Sequence, residues 1–192
     1  DLHSFPTRRS SDLWQIKILT DEIGGVTINL KTPQTLAGTE LDAGAQLLNG
    51  EQALAYTRER RTLPNGDFDR INRQQAWMRA IVSQVFSSGT LSDPTRLYSF
   101  LHAVTSTMAV DEGLTVDEMQ DLALGMRDVR SKDIKFMTVP TAGTDMSHDG
   151  QSIVNLDADA GALLFEAFAT DAVEEYMESH PDAVELLPAT VN

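Results

Sequence analysis

The stretch Tyr56-Thr57-Arg58-Glu59-Arg60, Leu63-Pro64-Asn65-Gly66 and Asp67-Phe68-Asp69-Arg70-Ile71-Asn72-Arg73-Gln74-Gln75 sets the architecture of this 192-residue chain. Tyr56 to Arg60 reads as an extended segment, Leu63 to Gly66 has turn composition, and a long helix follows. On that helix Ile71, Met78, Ile81, Val82 and Val85 fall on one face at 100° per residue, the pattern of a core-facing amphipathic helix.

Upstream, loosely periodic apolar residues from Trp14 to Ile23 predict a helix stopped by Gly24-Gly25. Val26, Ile28 and Leu30 then alternate as in a half-buried strand. Lys31 to Gly44, rich in Thr, Gly and Pro, reads as a surface loop, and Asn49 is placed to cap a short helix carrying Ala53 and Leu54.

Downstream, Pro94 opens a helix with Leu97, Phe100, Leu101, Val104 and Met108 as its buried stripe. Thr115 and Glu118 have capping-box spacing, which predicts a helix to about Val129. Ile134 to Val139 and Ile153 to Leu156 are β-rich, and Asp157 can cap a helix through Phe168. Helices alternating with strands predict an α/β domain, a layered α-β-α arrangement around a mixed central sheet. Its bounds are residues 14–170; residues 171–192 read as an acidic, weakly structured tail. Residues 1–13 look like the translation of a sequencing adapter and are set aside, so the genuine N-terminus is expected upstream of Trp14.

Composition narrows the function. There are 15 Lys and Arg against 29 Asp and Glu, a net charge of −14, which repels nucleic-acid phosphates and anionic membrane surfaces. No cysteine is present, which excludes thiolate nucleophiles and cysteine-based metal sites. No segment approaches the roughly 20 apolar residues of a membrane span. Against this acidic background Arg58, Arg60, Arg61, Arg70, Arg73 and Arg79 crowd into one short region. Arginine's planar fork grips two phosphate oxygens at once and stays charged at any physiological pH.

If Tyr56 to Arg60 is extended, Arg58 and Arg60 share a face and Arg61 points away. Arg70, Arg73 and Gln74 share a helix stripe that Asp67 joins, whereas Arg79 points to solvent. Arg58, Arg60, Arg70 and Gln74 are therefore expected to converge where a strand end meets a helix start. A helix N-terminus adds unpaired N–H donors that suit an anion. The competing reading pairs these arginines with Glu59, Asp67 and Asp69 as structural salt bridges.

Other chemistries lack their signatures. Asp145, Ser147, Asp149 and Gly150 imitate the start of a calcium loop, but Leu156 stands where its closing Glu should be. His3, His102, His148 and His180 have no ligand spacing, and there is no Gly-x-Ser-x-Gly elbow or Gly-x-Gly-x-x-Gly loop.

The run Leu48 to Arg60, the Asp67-x-x-Arg70-x-x-Arg73-Gln74 pattern and Asp21-Glu22-Ile23-Gly24-Gly25-Val26 resemble the LytR-CpsA-Psr family of cell-wall polymer ligases. The resemblance covers roughly Trp14 to Thr170 and corresponds to the C-terminal part of the family's catalytic domain. It implies a phosphotransferase at the outer face of the bacterial cytoplasmic membrane or in the cell wall. Such an enzyme moves a teichoic acid, capsule or arabinogalactan type polymer from polyprenyl pyrophosphate to peptidoglycan. It further implies Arg58, Arg60, Arg70, Arg73 and Gln74 on the pyrophosphate, Asp67 and Arg70 in catalysis, and an apolar groove for the polyprenyl chain. Magnesium is implied as cofactor; its aspartate ligands and the membrane anchor are expected in the N-terminal part of the family's domain, so this fragment alone is expected to be impaired. The alternative is a noncatalytic module that binds prenyl phosphates or glycans and regulates wall assembly.

Overall fold

The structure, a computed structural model, describes residues 8–59, 63–64, 67–87, 89–107, 113–126, 128–129, 133–189 and 191. They form two units: residues up to 134 together with 188–192, and residues 135–187.

The first unit starts with helix α1 (Arg8–Glu22), ended by Gly24 and Gly25 at φ of 78° and 99°. Strand β1 (Val26–Leu30) follows, its side chains alternately buried and exposed as the sequence pattern requires. It pairs antiparallel with β4 (Gly44–Leu48). Between them Lys31 to Gly44 is not a plain loop but holds the hairpin of β2 (Gln34–Leu36) and β3 (Thr39–Leu41). The signal was masked because its two-residue turn places Ala37 as well as Gly38 at positive φ, 50° and 79°. The usual Asn-Gly or Asp-Gly turn signature is missing.

Helix α2 (Gly50–Arg58) starts at a full capping box: Asn49 and Gln52 exchange side-chain to backbone bonds, each of 3.0 Å. Gly50 lets α2 press against α1, since a Cβ here would collide with the Lys17 carbonyl and the Asp21 carboxylate. Asp21 Oδ1 accepts from the Gly50 N–H at 2.7 Å.

The expected extended segment from Tyr56 is corrected: α2 runs through Arg58, and Glu59, at φ −62° and ψ 135°, is the first extended residue. Tyr and Thr favour strands, but both are fully buried here, and the Thr57 hydroxyl bonds the Ala53 carbonyl at 2.9 Å. Tertiary burial overrides local propensity.

Helix α3 (Asp67–Ser87) packs on β1. Its buried face differs from the expected one: Ile71 and Met78 are exposed, while Asp69, Arg73, Ala76 and Ala80 are buried alongside Ile81 and Val85. Small alanines allow close approach, which outweighs the size of the isoleucine and methionine. A 3₁₀ turn (Thr90–Ser92) leads to α4 (Pro94–Thr107), whose Leu97 and Leu101 pack with Met119 of α5 (Val116–Gly125). The Thr115 and Glu118 capping box forms as expected, and Met108 lies outside the described residues.

In the second unit β5 (Met137–Thr138) is followed by the hairpin of β6 (Thr141–Met146) and β7 (Ser152–Leu156), whose turn carries Ser147 to Gly150. Asp157 caps α6 (Ala158–Ala169) by accepting from the Ala160 N–H. The tail is not weakly structured. It folds as α7 (Val173–Ser179) and β8 (Glu185–Leu186), which pairs with β5, while Tyr176 and Val184 join Leu164 and Ala167 in a core.

The α/β class stands. Among the described residues the strands pair as four two-stranded antiparallel ribbons rather than one continuous sheet. The mixed element is local: in the first unit, Val191 bridges Leu30 in parallel, so β1 has an antiparallel and a parallel neighbour. No helix among the described residues is long and apolar enough to cross a membrane.

Candidate functional site

The expected site residues flank the passage from α2 to α3. Since α2 is helical to Arg58, the corner joins a helix end to a helix start. The α3 N-terminus favours an anion, whereas the α2 C-terminus, with its unpaired carbonyls, disfavours one. Arginine beside those carbonyls offsets the second effect.

Arg73 does so from the interior. Only 3% of its surface is exposed, so the structure places it inside the fold rather than on the open face expected of a pyrophosphate ligand. One terminal nitrogen donates to the Tyr56 carbonyl at 3.1 Å and the other to Gln34 Oε1 at 2.8 Å. The guanidinium also lies over the Tyr56 ring, 4.5 Å from its centroid. Burial pulls its pKa down, and the nearby Tyr56, Glu59 and Asp69 push it back up. Asp69, one turn earlier on α3, is buried as well.

Arg79 is also corrected. It does not point to free solvent but donates to the Pro188 and Ala189 carbonyls at 2.9 and 3.2 Å, clasping the segment that continues to Val191.

Arg58, in the last turn of α2, is exposed, and so is Gln74 on α3. Among the described residues neither side chain makes a hydrogen bond or ion pair. Arg70 is half-buried, one turn before Gln74, with its Nε shielded from water. Asp67 is the first residue of α3. Arg60 and Arg61 lie outside the described residues.

Behind this corner Trp77 Nε1 donates to the buried Thr20 hydroxyl at 2.9 Å, and that hydroxyl donates to the Ile16 carbonyl at 2.6 Å, joining α3 to α1. Tyr56 is fully buried, and among the described residues its hydroxyl has no hydrogen-bond partner. Burial drives its pKa up to about 12, with Arg73 and Arg79 opposing the rise.

Sequence reasoning missed Gln34. It precedes Arg73 by 39 residues in a segment read as a loop, and no local spacing connects the two.

A groove of about 440 Å³ runs beside α4, but Glu22, Gln84 and Arg96 interrupt its lining. It lacks the continuous apolar wall a polyprenyl chain needs. Among the described residues no three His, Asp or Glu side chains gather to hold a metal ion.

The chain belongs to the LytR_cpsA_psr family, whose profile matches residues 12–167. It is 38% identical over 152 residues to the cell wall biosynthesis protein LcpA of Corynebacterium glutamicum, covering 78% of this chain and 29% of that protein. It is 34% identical over 119 residues to the polyisoprenyl-teichoic acid–peptidoglycan teichoic acid transferase TagU of Bacillus licheniformis, covering 62% of this chain and 37% of that protein. This chain therefore spans little more than a third, or less, of these curated relatives. Among solved structures, B. subtilis TagU superposes with a TM-score of 0.56 at 26% identity, over 87% of this chain and 62% of that one. B. subtilis TagV gives 0.64 at 18% identity, covering 84% and 61%, a likeness of fold.

Proposed function

We propose that this domain belongs to a phosphotransferase that attaches an anionic glycopolymer, carried on polyprenyl pyrophosphate, to peptidoglycan at the outer face of the bacterial membrane or in the wall. The observation that carries the reading is that Arg58, at the end of α2, and Gln74, on α3, are both exposed and make no hydrogen bond or ion pair among the described residues, in a chain of net charge −14. The names of the family relatives support the same substrate class.

In this reading an acceptor hydroxyl of peptidoglycan attacks the phosphorus next to the glycan. The bond from that phosphorus to the bridging oxygen breaks, and polyprenyl monophosphate leaves. Arg58, Arg60 and Arg70 neutralise the charge growing on the leaving oxygens, and Gln74 donates to a phosphate oxygen. Asp67 either takes the proton released by the acceptor hydroxyl or orients Arg70. Magnesium near the pyrophosphate belongs to the proposal, with ligands outside the described residues.

The test uses the complete protein that contains this chain, assayed for transfer from a polyprenyl pyrophosphate-linked glycan to peptidoglycan fragments, with and without magnesium. Arg58→Ala should slow transfer by roughly 10²–10³-fold with the unfolding midpoint unchanged. Wild-type transfer by this variant would sink the reading. Lipid binding without turnover by the unaltered protein would favour the noncatalytic alternative.

A further inference from the structure

We infer that Gln34 is a positioning residue for the arginine corner, acting through Arg73; this rests on the transfer reading above. Arg58 is carried by the last turn of α2, and Arg70 and Gln74 by the first three turns of α3. Their mutual distance depends on how these two helix ends are held together. Arg73 holds them: it grows from α3 and binds the Tyr56 carbonyl and ring on α2.

An arginine at one acceptor can still swing about that bond. Gln34 supplies the second acceptor, on the other terminal nitrogen, and two acceptors plus a ring face fix the guanidinium plane. With Arg73 only 3% exposed, bulk water is poorly placed to replace a lost acceptor. Gln34 is well placed for this task, since it belongs to β2 and is partly buried, whereas Thr35 beside it is exposed. Its Nε2 is buried without a hydrogen-bond partner among the described residues, so the contact to Arg73 is what orients the amide.

The measurement is steady-state transfer by the complete protein. Gln34→Ala should lower kcat by roughly ten- to a hundredfold with little change in KM for the lipid-linked donor, because the pyrophosphate still binds but is poorly aligned. Gln34→Glu keeps the acceptor and should recover most of the loss, and Thr35→Ala on the outer face of β2 should match the parent. Gln34→Met keeps the stem without the acceptor and replaces Gln34→Ala if that variant does not fold. Wild-type kcat in Gln34→Ala, with transfer abolished by Arg58→Ala, overturns the positioning role alone. Equal losses in Gln34→Ala and Gln34→Glu also overturn it. Wild-type transfer by both Arg58→Ala and Gln34→Ala overturns the site reading, and the positioning role with it.

Discussion

The two ends of α2 are held in different ways. At its start, backbone meets backbone: Gly50 lies against the Lys17 carbonyl, Asp21 accepts from the Gly50 N–H, and Asn49 and Gln52 close a capping box. At its finish a single buried side chain, Arg73, grips the Tyr56 carbonyl and is itself braced by Gln34. The first end has almost no room to adjust, and it carries no group of the proposed site. The second carries Arg58. The difference teaches where substitutions should register: at the start of α2 as lost stability, at its finish as lost alignment.

Gly50→Ala is the harshest way to break the pinned end. The added methyl must displace a backbone carbonyl of α1, which costs about 1–3 kcal/mol, as overpacking does. Urea denaturation of the chain should show the midpoint falling accordingly. An unshifted midpoint would mean that α1 and α2 slide apart easily and that the two ends of α2 are alike. Asn49→Ala is milder, since it removes one cap bond from a helix that Gly50 still seats. About 1 kcal/mol is expected by the same measurement.

The start of α2 was legible in the sequence and the finish was not, for a physical reason. A capping box is written within four residues, as are the Thr115 and Glu118 box and the Asp157 cap, and all three form. The alternation of Val26, Ile28 and Leu30 is equally local, and it forms too. Tyr56 and Thr57 have strand propensity, and only burial against elements distant in sequence keeps them helical. The arginine cluster was legible as composition, but its division of labour was not. Arg73 and Arg79 are spent on the carbonyls of Tyr56, Pro188 and Ala189, partners set by the fold rather than by spacing. Arg79 read as a solvent group because it lies nearly opposite the Arg70 stripe on the helix, and helix geometry alone does not show that residues 188 and 189 pass beside that face.

Tyr56→Phe is the gentlest probe, and it sharpens what holds the finish of α2. Arg73 uses the Tyr56 carbonyl and ring face, neither of which the substitution removes, and a phenylalanine ring also attracts a guanidinium. The lost hydroxyl is buried and has no hydrogen-bond partner among the described residues, so at neutral pH stability should change by about 1 kcal/mol or less, in either direction. The two proteins should part company only in alkali. Burial raises the phenol from 10.0 to about 12, so the folded chain keeps this proton at pH values where the unfolded chain releases it. Its stabilising share is therefore fully present below pH 10 and is lost as pH climbs from 10 through 12, at up to about 1.4 kcal/mol per unit. Denaturation midpoints of parent and Tyr56→Phe should run parallel up to pH 10, and above it the parent should fall faster. Parallel curves through pH 12 would mean that the phenol reaches water, and a guanidinium resting on an open ring could not fix the end of α2 that carries Arg58.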